Sequence, residues 1–184
     1  MRVLTLSEFD RMLSAAADNA RDYCILMFLG GAGLRVAELT TIRIGDIDFD
    51  QGYLRIPAEK AKGGRERTVY LCKQVLESVP ETIRGFGDDW LFPSVYKPGR
   101  GKPISVRGVQ LIVANYARLA GLGNVHVYPH LLRHSFAVWS LDAGVPVGDL
   151  QQQLGHASLA TTGIYLRVNP SHRKGSYERA GMFA

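Results

Sequence analysis

PHLLRHSFAVWSLDAGVPVGDLQQQLGHASLATTGIY, residues 129–165, is the stretch on which the reading of this chain turns. Pro129 suits a first helical position, where a missing N–H costs nothing, and the apolar spacing after it predicts a helix that stops at Gly144. His130 and Arg133, three apart, would share one face of that helix. A short helix is predicted from Val147 to Leu154, with Gly155 as its left-handed stop. His156 falls in the tight turn that follows, and Ser158 can cap a third helix that carries Tyr165.

Gathering these side chains in one stretch suggests the phosphate-attacking half of an active site. Phosphoryl transfer asks little covalent chemistry of a protein. It asks for cations on the non-bridging oxygens, a nucleophile in line and a proton donor at the leaving oxygen. An arginine, two histidines and a tyrosine answer that list without a metal.

The wider composition sets bounds on this reading. A chain of 184 residues makes one ordinary domain with a single core. Its 22 Lys and Arg against 17 Asp and Glu give a net charge of +5 and a pI near 9.4, a mild hint of a polyanionic partner such as nucleic acid. Cys24 lies in an apolar run and Cys72 at the end of a strand-like one, so both read as buried free thiols of a reducing compartment. With no signal-peptide pattern and no apolar run long enough for a bilayer, the expected location is the cytoplasm.

Outward from the opening stretch, Thr5 and Glu8 form a capping box, and Leu6, Phe9, Met12 and Leu13 recur at helical spacing, predicting a helix from Ser7 to about Ala17. A second, buried helix is predicted over Ala20 to Leu29, closed by the glycines at 30, 31 and 33. Arg35 then opens a helical segment with Glu38 one turn on, which read locally is a surface ion pair. YLRIP from Tyr53 and RTVYL from Arg67 alternate as a β-hairpin, with Lys62 before Gly63 and Gly64 at its tip. Further helices are predicted from Val75 to Ile83 and after the Ser105 cap, the latter with Val109, Ile112, Val113, Tyr116, Ala117 and Ala120 as its apolar face and Gly121 as its stop. The fold class is therefore mainly α with a small antiparallel β-hairpin or sheet.

Four motifs now stand in one order: GLRVAEL around Arg35, the glycine-flanked Lys62 on a hairpin, PHLLRH, and LGHASLATTGIY with His156 and Tyr165 nine positions apart. Together they resemble the catalytic domain of tyrosine recombinases, the phage-integrase family that includes the Xer-type enzymes, over roughly Leu4 to Tyr165. The resemblance implies the tyrosine recombinase catalytic-domain fold and a site-specific DNA recombinase or integrase that works through a 3′-phosphotyrosine intermediate. Arg35 and Arg133 would clamp the scissile phosphate, Lys62 would protonate the leaving 5′ oxygen, and His130 would help to deprotonate the nucleophile. His156 would hydrogen-bond the phosphate and Tyr165 would attack it. The resemblance calls for no metal and no cofactor, and its implied partners are double-stranded DNA and further protomers, as a tetramer on DNA.

By the same resemblance, residues 1–184 form the catalytic domain, with 1–165 as core and 166–184 as a tail exchanged between protomers. The N-terminal core-binding domain of the family is expected to be lacking, so the chain reads as a fragment. Other readings have less behind them. A type IB-like topoisomerase shares the arginine, lysine, histidine and tyrosine set, but the second histidine and the small size favour a recombinase. His130 and His134 have zinc-ligand spacing with His126 four positions before, yet Pro129 takes His126 off the helix and no acidic third ligand follows. A silent DNA-binding module would have no need of so complete a set.

Overall fold

The computed structural model of the chain describes residues 2–59, 64, 66–83, 89–96 and 101–155. Its first helix, α1 (Leu6–Ala15), begins on the predicted capping box. The Thr5 hydroxyl accepts from the Glu8 N–H at 3.1 Å and the Glu8 carboxylate from the Thr5 N–H at 2.9 Å. Phe9 and Met12 on its inner face are buried.

The second helix departs from expectation. It is α-helical only over α2 (Ala20–Leu26), capped by Asn19, and then widens into a π-helical turn over Met27–Gly31. Glycine is needed there, because a Cβ on Gly30 would run into the Phe9 ring. The widened turn leads to α3 (Val36–Leu39), a single turn of helix with Arg35 at its N-cap.

A 3₁₀ turn (Ile44–Asp46) then feeds a three-stranded antiparallel sheet in the order β1 (Ile47–Asp48), β2 (Tyr53–Ile56), β3 (Arg67–Tyr70). The predicted hairpin is the β2–β3 pair, registered by Leu54 opposite Val69 and Tyr53 opposite Tyr70. Leu54 and Ile56 point into the core while Tyr53 and Arg55 face outward, the alternation of a half-buried strand. β1 was not foreseen, since two residues are too few to show a period.

Among the described residues, four further helices follow the sheet. They are α4 (Lys73–Ile83), α5 (Val106–Leu119), α6 (Pro129–Asp142) and α7 (Val147–Leu154). Ser105 caps α5 through its hydroxyl, Pro129 opens α6, and Gly155 ends α7 at φ 61°, each as the sequence predicts. The main core packs α1, α2, the π turn, the sheet, α4 and α5 around Phe28, Phe92, Leu54 and Val113. A smaller cluster of Ala137, Val138, Leu141, Leu150 and Leu154 holds α7 on α6. The N-terminal segment is stapled across α6, where the Leu4 N–H meets Ser135 Oγ and Trp139 Nε1 donates to the Leu4 carbonyl, both at 2.9 Å.

Of the two thiols, Cys24 is buried, and that burial pushes its pKa up to about 11, whereas Cys72 is only half-buried. Among the described residues, no helix is long and apolar enough to cross a membrane. Lys62, His156, Tyr165 and the segment 166–184 lie outside the described residues.

Candidate active site

The site is built where the turn after the π helix, α3, β3, α6 and the C-terminal end of α7 meet. Arg133 comes from the inward face of α6 and is 1% exposed. Its Nη1 donates to the Gly33 carbonyl and its Nη2 to the Leu154 carbonyl, each at 2.6 Å. Gly33 can serve this geometry because it sits at φ 71°, and any Cβ there would collide with the Phe136 ring. His130, one turn before Arg133, lies at the exposed edge of the helix.

Arg35 approaches the same place from the other side. As the N-cap of α3 its backbone N–H donates to Glu38 Oε2 at 3.0 Å, its Nη1 to Glu38 Oε1 at 3.0 Å, and its Nη2 to the Gly155 carbonyl at 2.9 Å. The two arginines therefore hold consecutive carbonyls of one helix end. Those carbonyls lack partners within α7 and carry the negative end of its dipole, so a guanidinium is a natural cap for each.

The Arg35–Glu38 pair is not the surface pair that local spacing suggested. The Glu38 side chain is 0% exposed and is shared with a third residue, Arg67 of β3, whose Nη1 and Nη2 donate to Oε1 and Oε2 at 2.6 and 2.9 Å. Burial alone would push the Glu38 carboxyl up. The hydrogen bonds and charge of Arg67, followed by those of Arg35, outweigh it and hold the carboxyl below its ordinary value.

Gln153 completes this framework. Its side-chain amide pairs with both the N–H and the carbonyl of Tyr70, at 2.9 Å each, and donates to the Ala32 carbonyl at 3.1 Å. α7 is thereby fixed to β3 and to the glycine-rich turn.

His130 and His134 stack edge to face on α6, with ring centroids 4.2 Å apart. His134 is half-buried, and its pKa is pushed down to about 4, first by burial and then by the neighbouring His130 and Arg133. His126 is elsewhere engaged, its ring 5.3 Å from that of Tyr128, and among the described residues no group of three or more His, Cys, Asp or Glu side chains could hold a metal ion.

Of the six residues singled out from sequence, Arg35 and Arg133 are brought together on α7, and His130 lies on the same helix as Arg133. Glu38, Arg67 and Gln153 were missed as parts of the site. For Arg67 a signal was present: two positions before buried Val69 on a strand, it had to share the inward face.

The profile of the phage integrase family matches residues 2–172. The tyrosine recombinase XerA of Pyrococcus furiosus is 38% identical over 182 residues, which are 97% of this chain and 62% of the relative. The tyrosine recombinase XerC of Xylella fastidiosa is 35% identical over 161 residues, 87% of this chain and 53% of the relative. Among solved structures, a XerA recombinase superposes with a TM-score of 0.84 at 27% identity, over 100% of this chain and 66% of that one. The XerH recombinase, solved after cleavage on its palindromic difH substrate, superposes with a TM-score of 0.78 at 23% identity, over 98% of this chain and 53% of that one. The chain thus spans between about half and two thirds of the length of these relatives.

Proposed function

Because the chain belongs to the phage integrase family, we propose that it is the catalytic part of a site-specific DNA recombinase that cuts and rejoins strands through a 3′-phosphotyrosine. The observation that carries this reading is the convergence of Arg35 and Arg133 on the consecutive carbonyls of Gly155 and Leu154, directly before His156 in the chain. Each guanidinium has five N–H donors in a planar fork, so it can hold a helix carbonyl and a phosphate oxygen at once.

In the proposed reaction the Tyr165 hydroxyl oxygen attacks the scissile phosphorus, losing its proton with the help of His130. Arg35, Arg133 and His156 stabilise the charge on the non-bridging oxygens. The bond to the 5′ oxygen breaks, and Lys62 gives that oxygen a proton. A 5′ hydroxyl then attacks the phosphotyrosine, releases Tyr165 and restores a phosphodiester. One phosphate ester replaces another, so no nucleotide hydrolysis is called for. A free tyrosine titrates near pH 10, and the converging cations are what would make Tyr165 reactive at neutral pH.

The relatives named above are recombinases, which favours this reading over a topoisomerase. Residues 1–165 would form the catalytic core and 166–184 a tail passed to a neighbouring protomer, with a tetramer on duplex DNA as the working assembly in the cytoplasm. The test is incubation with a pool of nicked duplexes of randomised sequence, followed by denaturing electrophoresis. A covalent protein–DNA band that depends on Tyr165, and whose captured sequences share a motif, is the expected result. Failure of any duplex in the pool to give an adduct would overturn the reading.

A further inference from the structure

Arg67 is not among the six residues of the proposed chemistry, yet its guanidinium lies where α3, β3 and the end of α7 converge. It sits on β3, five positions after Lys62 in the sequence. It grips Glu38, which holds Arg35, and its Nε faces the Gln153 carbonyl at 3.5 Å. It also packs directly under the turn before His156, where a Cβ on Gly155 would come within 2.7 Å of Arg67 Cδ.

We propose that Arg67 is a positioning residue: by occupying the fork of Glu38 it keeps the Arg35 guanidinium available for phosphate, a role that rests on the recombinase reading. An ionised carboxylate has about four acceptor sites, and Glu38 receives four donors. Oε1 takes Nη1 of Arg67 and Nη1 of Arg35; Oε2 takes Nη2 of Arg67 and the Arg35 backbone N–H. Arg35 thus meets the carboxylate through one terminal nitrogen only, and the other reaches Gly155.

Without Arg67, Glu38 would be a buried carboxylate with one cation and two empty acceptor sites. The pairing that fills those sites is the bidentate one with Arg35 itself, which draws Nη2 away from α7 and from any phosphate there. Charge leads to the same conclusion. Two guanidiniums around one carboxylate leave a surplus positive charge in a half-buried site, whereas Arg35 with Glu38 alone is a neutral pair. A neutral pair does little to stabilise a pentavalent phosphorus.

The test is a double-mutant cycle on single-turnover cleavage, using duplexes recovered from the nicked pool by the unmodified chain. Arg67→Gln is expected to slow adduct formation by about 10- to 100-fold, the scale of a misplaced reacting group, while DNA affinity by gel shift stays within about threefold. Arg67→Lys, which keeps the charge but not the fork, should fall between the two. In an Arg35→Ala background the same Arg67→Gln change should cost less than about threefold, since nothing is left to position.

Losses that multiply in the double variant, or an Arg67→Gln chain that cleaves at full rate, would overturn the positioning role and leave the recombinase reading intact. If Arg67→Gln does not fold, the cycle is run with Arg67→Lys: a loss that vanishes without Arg35 supports the role, and one that multiplies overturns it. No adduct from the unmodified chain overturns the recombinase reading, and the positioning role with it.

Discussion

Arg35 and Arg133 cap adjacent carbonyls of the same helix, Arg35 at Gly155 and Arg133 at Leu154, and they do so with different degrees of burial. The Arg35 side chain is 19% exposed, whereas Arg133 is 1% exposed and also ties down Gly33. Two side chains proposed for one chemical task therefore differ in what else they hold.

Each alanine variant should slow single-turnover cleavage by about 100- to 1,000-fold, the usual loss for one charge-stabilising donor in a dry site. Their urea midpoints should separate. Arg133→Ala leaves two buried carbonyls without their donor and should cost about 3 kcal/mol, while Arg35→Ala should cost less than about half of that. Equal stability losses in the two variants would contradict the difference in burial.

Tyr165→Phe should keep the fold and DNA affinity but give no covalent adduct, because a single attacking oxygen is removed. Tyr177→Phe should still form it. The reverse pattern in the same denaturing gel would move the nucleophile to Tyr177.

Lys62→Ala should be slow on ordinary DNA, since an alkoxide leaves poorly without a proton. A substrate with sulfur in place of the bridging 5′ oxygen releases a thiolate and needs no acid. That substrate should rescue Lys62→Ala and leave Arg133→Ala defective, because in the proposed reaction the arginine serves the non-bridging oxygens. Rescue of both variants alike, or of neither, would pass the role of acid to Lys60 or Arg65.

His134 gives a prediction in pH. Its folded pKa of about 4 lies below the ordinary 6.5, so between those values the unfolded chain binds a proton that the folded chain refuses. Its contribution to stability is complete above pH 6.5 and is lost as pH falls toward 4. Urea midpoints at pH 7, 6 and 5 should therefore decline less steeply for His134→Gln than for the unmodified chain. Parallel declines would mean that His134 does not titrate in that window.

Legibility in the sequence followed the range of the interactions. Thr5 with Glu8, Ser105, Pro129 and Gly155 mark helix ends by contacts within a few residues, so α1, α5, α6 and α7 could be read with boundaries nearly right. The π turn over Met27–Gly31 could not, because the contact that requires glycine at position 30, the Phe9 ring, comes from α1. Glu38 failed for the same reason. A surface ion pair and a buried hub have identical spacing to Arg35, and only Arg67, 29 positions downstream, tells them apart. In the candidate site, residue types and order singled out Arg35, Arg133 and His130, whereas the framework of Arg67 and Gln153 depends on packing between β3 and α7.

The double duty proposed for Arg133 bears on how such a gene decays. A copy released from selection for strand transfer is still under selection to avoid misfolding for as long as it is made, and losing this guanidinium leaves two buried carbonyls unsatisfied. A tyrosine hydroxyl has no comparable hold. Relics should therefore lose the proposed nucleophile, Tyr165, before they lose Arg133. In a degenerate relative, this arginine would testify to a chain that still folds and say nothing of one that still cuts.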